Sequence, residues 1–379
     1  MMTPAENLRR LFAKQPADYV PLFDSPWGDT LRKWVTQGYP TFKNKRKVTE
    51  NGQEVEKEFD DPVSPTEHFG FDMAGVGGWF DMMPLKGVSE LVEETDEWRV
   101  TRNGAGAAFK YWKNKSGTPE HVDFRMTSRA VWERDYRPHL LQVDRTRVGI
   151  EGAKKALEEW RGKQRWTYYG HLFIWECMRQ SLGDLCLYQS LLLDPAWIHD
   201  YARVYTDFYK GHYKLLFDEA GVPDGMWMYE DLGYNKGLFA SPKVLAELIF
   251  PYFKEVVDFF HGYGLPVVLH TCGSTREALP MIVEAGFDGL NPMEVAAGND
   301  TLEYAEKYGD TLLFVGGFDK RILESGDRRL IRREVTRFMK GMKARGARFV
   351  FASDHSISTN TDYADFLYAH QVYREHRLY

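Results

Sequence analysis

Cysteine is scarce: Cys177, Cys186 and Cys272 are the only three in 379 residues. That is too few for a disulfide framework in a chain of this length, and reduced thiols fit a cytoplasmic protein. No apolar run approaches the ~20 residues that cross a bilayer, and the opening residues lack the apolar core of a secretory leader. No lysine- or arginine-rich face stands out, and the net charge is -6. Nucleic acid, whose phosphates demand clustered cations, is therefore a poor partner. A glycine-rich G-x-G-x-x-G loop is missing after every apolar run, which counts against a dinucleotide-binding sheet.

Aromatic residues, in contrast, make up 15% of the chain and include 11 tryptophans, enough either to pack a large core or to line a substrate pocket. The N-terminal part is irregular. Alternating lysines and glutamates over 44–60 surround Asn51-Gly52 and read as a solvated loop or small hairpin. Apolar and polar residues alternate over 97–125 around Asn103-Gly104 and Ser116-Gly117, a second hairpin signature. Together these define an excursion between Thr41 and Arg125 with small antiparallel elements.

From Arg165 the pattern becomes a short apolar run, a loop and an amphipathic helical stretch, repeated. The runs are 166–174, 225–229, 266–270, 287–291, 311–315 and 348–351. Leu245, Leu248, Ile249, Tyr252, Val256, Phe259 and Phe260 recur at helical spacing over 242–263. Ser274 is the expected cap of a helix over 275–284, Asn299 or Asp300 of one over 302–308, and Cys177 and Cys186 fall in a helical stretch over 176–193. Strands separated by helices pair in parallel through right-handed crossovers. With a further strand near 19–23, the chain makes either a closed (β/α)8 barrel or an open doubly wound sheet.

The polar residues that end these runs are of catalytic type: Glu230 and Asp231, then His270 and Cys272, then Glu294, then Asp319, then Asp354 and His355. In a parallel barrel the strand ends share one face, and that face carries the chemistry. His270 and Cys272 stand two residues apart, on one side of a strand end, so imidazole and thiolate can converge on a tetrahedral cation, with Gly273 allowing a sharp exit. Two ligands do not complete such a site. Glu294, Asp231, Asp354 and His355 are the candidates for the remainder.

The stretch LHTCGSTREALPMIVEAGFDGLNPMEVAAGND (269–300), followed by FVGGFDKRIL (314–323) and FASDHSIS (351–358), resembles the C-terminal half of the uroporphyrinogen decarboxylase superfamily. VPLFDSPWGDTLRKW (20–34) and the stretch 230–264 are also similar to its divergent bacterial members. The resemblance implies one (β/α)8 TIM barrel over residues 1–379 and a possible homodimer. It also implies one of two chemistries. One is cofactor-independent decarboxylation of uroporphyrinogen or a related carboxylate. The other is zinc-dependent methyl transfer involving a corrinoid on a partner protein. Asp24-Ser25-Pro26-Trp27 stands where the decarboxylases carry an arginine-rich element, although His355 matches their late histidine and Asp72 their early aspartate. His270 and Cys272 match the methyltransferases, but Ser353-Asp354-His355 replaces their second cysteine.

The leading expectation is a corrinoid-linked methyltransferase or demethylase acting on a small methylated molecule. A decarboxylase comes second and a non-catalytic binding barrel third. Zinc is expected on His270, Cys272 and Glu294. Asp231 and His355 are expected to handle protons, while Trp27, Tyr234, Asp319 and Asp354 are expected to contact substrate.

Overall fold

A computed structural model of the chain describes residues 2–50 and 53–379, so the Asn51-Gly52 pair expected at the centre of the first hairpin or loop lies outside the described residues. β1 (Thr41–Glu50) and β2 (Gln53–Pro62) pair antiparallel as a ribbon. β3 (Met73–Gly75) follows, and then β4 (Ser89–Glu94), β5 (Trp98–Asn103), β6 (Ala107–Trp112) and β7 (Glu120–Phe124) form a four-stranded antiparallel sheet in sequence order. The range 41–125 is thus not one excursion. β3 is a barrel strand lying between two of them, and at three residues it is too short to leave a periodicity in the sequence.

The remaining strands are β8 (Trp166–Leu172), β9 (Gly225–Tyr229), the miniature hairpin β10 (Gly233–Tyr234) and β11 (Gly237–Leu238), β12 (Val267–Thr271), β13 (Gly289–Pro292), β14 (Leu313–Val315) and β15 (Phe349–Val350). Seven strands form a parallel sheet in the order β3-β8-β9-β12-β13-β14-β15. The order never reverses, as a doubly wound sheet requires. Residues 21–23 close the circle. Phe351 N–H donates to Pro21 O at 2.8 Å and Phe23 N–H to Phe351 O at 3.0 Å on one flank, and Asp72 N–H donates to Leu22 O at 2.8 Å on the other. The architecture is that of a TIM barrel.

Side chains alternate across each barrel strand. Trp166 and Tyr168 of β8, Trp227 of β9, Val268 of β12, Leu313 and Val315 of β14 and Val350 of β15 pack inside the barrel. Met226, Met228, Val267, Leu269 and Phe314 face the surrounding helices. The helix Pro4–Phe12, started by a Thr3–Glu6 capping box, plugs the bottom with Leu8 and Leu11, and Phe12 stacks on Trp166.

Both ends of the chain hold the closing segment. Tyr373 of the last helix donates to Val20 O at 2.6 Å. Trp34 Nε1 donates to Thr361 O and Thr30 Oγ1 to Ile357 O. Ser274 does not cap a helix as expected: a turn intervenes, and the helix runs Leu279–Glu284 behind Ala278. Asp300 does cap Thr301–Tyr308. The helix Ile174–Leu193 holds Cys177 and Cys186 and is broken at Gly183 (φ 72°), where any Cβ would lie 2.5 Å from the Phe124 ring of β7.

Asp72 ties the barrel seam. Its buried carboxylate accepts the Tyr19 hydroxyl at 2.6 Å and the Leu22 N–H at 2.7 Å. Removing one donor from a buried carboxylate costs about 1–3 kcal/mol, so Tyr19→Phe is expected to lower unfolding stability by that amount in urea titration. An unchanged midpoint would show that the seam does not depend on this bond.

Candidate metal centre and the barrel-mouth cavity

The strand register builds the centre. His270 of β12 lies level with Tyr229 of β9, and Glu230 N–H donates to His270 O at 2.8 Å. Two residues further along each strand end the neighbours meet: Cys272 N–H donates to Asp231 Oδ1 at 2.8 Å. Gly273 (φ 75°) turns the chain where a Cβ would lie 2.4 Å from the Gly233 backbone, so the β10–β11 hairpin packs directly on the exit loop.

Asp231, His270 and Cys272 bring one ligand atom each within 4.8 Å of the others. His270 Nε2 is 3.4 Å from Cys272 Sγ and 3.8 Å from Asp231 Oδ1. Ligands at the usual zinc distances and tetrahedral angles sit about 3.4–3.6 Å apart, so the His270–Cys272 edge already has that length and the His270–Asp231 edge is within tenths of an ångström of it. One carboxylate oxygen, one imidazole nitrogen and one thiolate suit zinc and leave a fourth position free.

Asn291 sets the histidine. Its Nδ2 donates to Val315 O at 2.7 Å, which turns Oδ1 toward His270 Nδ1 at 2.5 Å. An amide oxygen only accepts, so Nδ1 carries the hydrogen and Nε2 presents its lone pair to Cys272 and Asp231. Burial pushes the His270 pKa down, which favours that neutral form. Burial, followed by the charges of Asp231 and Glu294, pushes the Cys272 thiol up.

The triad opens into a cavity of ≈ 620 Å³ at the C-terminal mouth of the barrel. Trp27, Asp231, His270, Cys272 and His355 line it. Trp27 meets His355 edge-on with ring centroids 5.9 Å apart. His355 Nδ1 has no hydrogen-bond partner, so no neighbour selects its tautomer as Asn291 does for His270.

The other expected residues lie elsewhere. Glu294 Oε2 accepts Gly273 N–H at 3.0 Å and is outside the converging group. Asp354 is buried, its oxygens taken by Val295 N–H and Lys320 N–H. Asp319 caps Lys320–Glu324 and pairs with Arg321. Tyr234 is exposed and leans on Phe239. Glu230, beside Asp231, turns away and accepts the Trp175 and Glu176 N–H groups that begin the helix Ile174–Leu193.

Several lining residues had gone unnoticed in the sequence. Tyr168, Trp227 and Tyr229 follow from period-two alternation on β8 and β9, which points them inward. Asp24, Asn291, Ser353 and the loop 116–119 between β6 and β7 have no such signal. Asp24 Oδ2 accepts the Ser353 hydroxyl at 2.9 Å and its N–H at 3.3 Å, and Asp24 Oδ1 accepts Ser25 N–H at 2.9 Å. Burial nevertheless pushes its carboxyl up to about 7, against the pull of those donors. Among the described residues that line the cavity there is no lysine or arginine.

The fold and the strand-end site define an α/β-barrel enzyme class. The chain belongs to the uroporphyrinogen decarboxylase (URO-D) family, whose profile matches residues 187–376. No protein of curated function matches its sequence. The solved structure of a methyltransferase from Methanosarcina mazei is similar over 99% of both chains, with 14% identity and a TM-score of 0.63. That likeness shows a shared fold. A putative vitamin-B12 independent methionine synthase from Listeria monocytogenes aligns over 60% of this chain and 67% of its own, at 12% identity and a TM-score of 0.37. Among the described residues no helix is long and apolar enough to cross a membrane.

Two outcomes test the centre. Outer partners that orient metal-binding histidines are worth about 10–100-fold in affinity, so Asn291→Ala should weaken zinc binding by that factor while Glu294→Gln loses less than about tenfold; competitive chelator titration reads both. His270 is neutral and only Cys272 must give up a proton. Apparent zinc affinity should therefore rise about tenfold per pH unit between roughly pH 6 and 8, and Cys272→Ser should flatten that slope.

Proposed function

We propose that the protein moves a methyl group between a small methylated substrate and a corrinoid carried by a partner protein, at a zinc ion held by Asp231, His270 and Cys272. The observation that carries this reading is the convergence of those three donors at the wall of the cavity, with Nε2 of His270 oriented by Asn291. Bound zinc would supply Lewis acidity toward an oxygen or sulfur at its fourth position and would lower the pKa of a thiol there.

The chain's own residues do the rest. Asn291 keeps His270 in the ligating tautomer. The Asp231 carboxylate accepts Cys272 N–H and so fixes the strand end that carries Cys272, while the Asp231 carbonyl is anchored by Trp175 Nε1–H. Phe23, Trp27, Tyr168, Trp227 and Tyr229 exclude water and hold the substrate against the triad. His355, on the same wall, is placed to take or return a proton at the substrate's heteroatom. Asp231 thus serves as a ligand in place of Glu294.

Decarboxylation of a polycarboxylate is the second reading, and two observations weigh against it. Among the described residues the cavity lining offers no arginine or lysine to hold carboxylates. Asp72, the counterpart of the decarboxylases' early aspartate, precedes β3 at the opposite end of the barrel and is committed to Tyr19 and Leu22.

The deciding experiment is elemental analysis of protein purified without chelator, beside His270→Ala, Cys272→Ser and Asp231→Asn. Stoichiometric zinc in the wild type, lost in the first two and reduced at least about tenfold in affinity in the third, is the expected result. A wild type that neither contains zinc nor takes it up would end the methyltransferase reading and raise the decarboxylase.

A further inference from the structure

The cavity's wall has a charge pattern that says more about its ligand. Tyr168 and Trp227 pack with centroids 4.9 Å apart, and Phe23 and Tyr229 lie 5.5 and 6.3 Å from Trp227. Tyr229 continues the arc to His270 at 5.0 Å. Trp27 stands beside His355. Aromatic faces are negative, and so is any ionised carboxylate among them.

Zinc on Asp231 and Cys272 would cancel their two charges, leaving Asp24 as the remaining carboxylate of the lining. Asp24 has three main-chain and hydroxyl donors but no lysine or arginine partner. A carboxylate substrate entering here would meet like charge with no counter-ion. A neutral one would gain packing but would leave the buried carboxylate uncompensated.

We propose that this cavity binds its substrate as a cation, a methylated quaternary ammonium compound, whose onium head sits against Trp27, Trp227, Tyr229 and Tyr168 with Asp24 as its counter-charge. The inference rests on reading the cavity as the methyl-transfer site. A quaternary nitrogen has no lone pair, so it is not a metal ligand, and the fourth metal position stays open for an oxygen or sulfur elsewhere on the molecule. Loss of one methyl group breaks a C–N bond and leaves its electron pair on nitrogen. The product amine is neutral, and the methyl goes to the low-valent cobalt of the corrinoid without any proton being required.

The test uses three probes of matched shape on the full-length, metal-free protein: choline, its neutral carbon isostere 3,3-dimethyl-1-butanol, and the anion 3,3-dimethylbutanoate. Calorimetry at about pH 8 keeps Asp24 ionised, above the value near 7 set by burial. The groups that face it or share its cavity, Asp354, His355, Asp231, His270 and Cys272, are the same for all three probes.

Choline is expected to bind at least about tenfold more tightly than the alcohol, as cation–π attraction requires, with no saturation by the carboxylate. Asp24→Asn and Trp27→Leu should each remove most of the preference for choline over the alcohol, read as the ratio of their two affinities. Trp27→Leu keeps the main-chain seam bond from Trp27 N–H to Ile357 O, so it remains informative if Asp24→Asn unfolds the protein, which circular dichroism monitors. Equal binding of the alcohol, preferred binding of the carboxylate, or no choline saturation below about 10 mM would each overturn the inference. Zinc content is measured separately: onium binding to protein that takes no zinc keeps the cavity's cation preference and removes the methyl-transfer reading, and zinc-loaded protein that prefers the alcohol does the reverse.

Discussion

Closure of the barrel by residues 21–23 is the constraint on which the rest of the molecule depends. Three residues wedge between β15 and β3, and their main-chain bonds run to Phe351 on one side and Asp72 on the other. The seam is clasped below by Asp72 and above by Asp24, two carboxylates on opposite sides of the same short strand. A three-residue strand has little intrinsic persistence, which explains the bonds from Tyr373, Trp34 and Thr30 that join the two ends of the chain around it. Because Phe23, Asp24 and Trp27 continue directly from this strand, one wall of the cavity exists only when the circle is closed. The opposite wall, with Asp231, His270 and Cys272, comes from strands nearly half the circuit away.

The mouth is also unusual in its charge economy. Away from the mouth many acids pair with arginines and lysines, as in Arg145–Glu219 and Arg203–Glu255. At the mouth the acids are held by N–H and O–H donors instead: Asp24 by Ser25 and Ser353, Glu230 by the start of a helix, Asp354 by Val295 and Lys320 N–H. Neutral donors orient a carboxylate without cancelling its charge. Even Glu176, pushed up to about 7 chiefly by burial, reaches its partner Arg179 outside the cavity lining. The lining therefore keeps a net preference for positive charge, whether a metal ion or an onium group supplies it.

Much of this was legible in the sequence. β9 coincides with the run read over 225–229, although the period-two alternation that turns Trp227 and Tyr229 inward was not drawn from it. His270 and Cys272 could be paired because their spacing alone puts them on one side of a strand end. What sequence spacing could not resolve was which carboxylate joins them. Asp231 and Glu294 each lie two residues past the end of a strand that flanks β12, but the register brings Asp231 level with Cys272, whose N–H it accepts, and Glu294 level with Gly273, whose N–H it accepts instead. That difference is a matter of strand pairing and is invisible one strand at a time. Asn291 was hidden for a related reason: an asparagine at a strand end looks like any solvent-facing polar residue until Val315 O fixes its orientation.

The excursions that interrupt the early barrel look decorative by sequence, since their charges alternate and their apolar content is modest. Their placement argues for a role at the mouth. The loop 116–119 leaves the antiparallel sheet and lines the cavity, and Ser116 N–H donates to Asp29 Oδ2 at 3.0 Å. Asp29 lies in the first turn of the helix Gly28–Thr36, which begins directly after Trp27. The loop and the Trp27 wall are thus fastened to each other as well as to the barrel, so a movement that widens the entrance also displaces the aromatic ring nearest His355. In this arrangement the strand ends carry the candidate reactive groups, and the segment between β3 and β8 contributes residues 116–119 to the cavity wall.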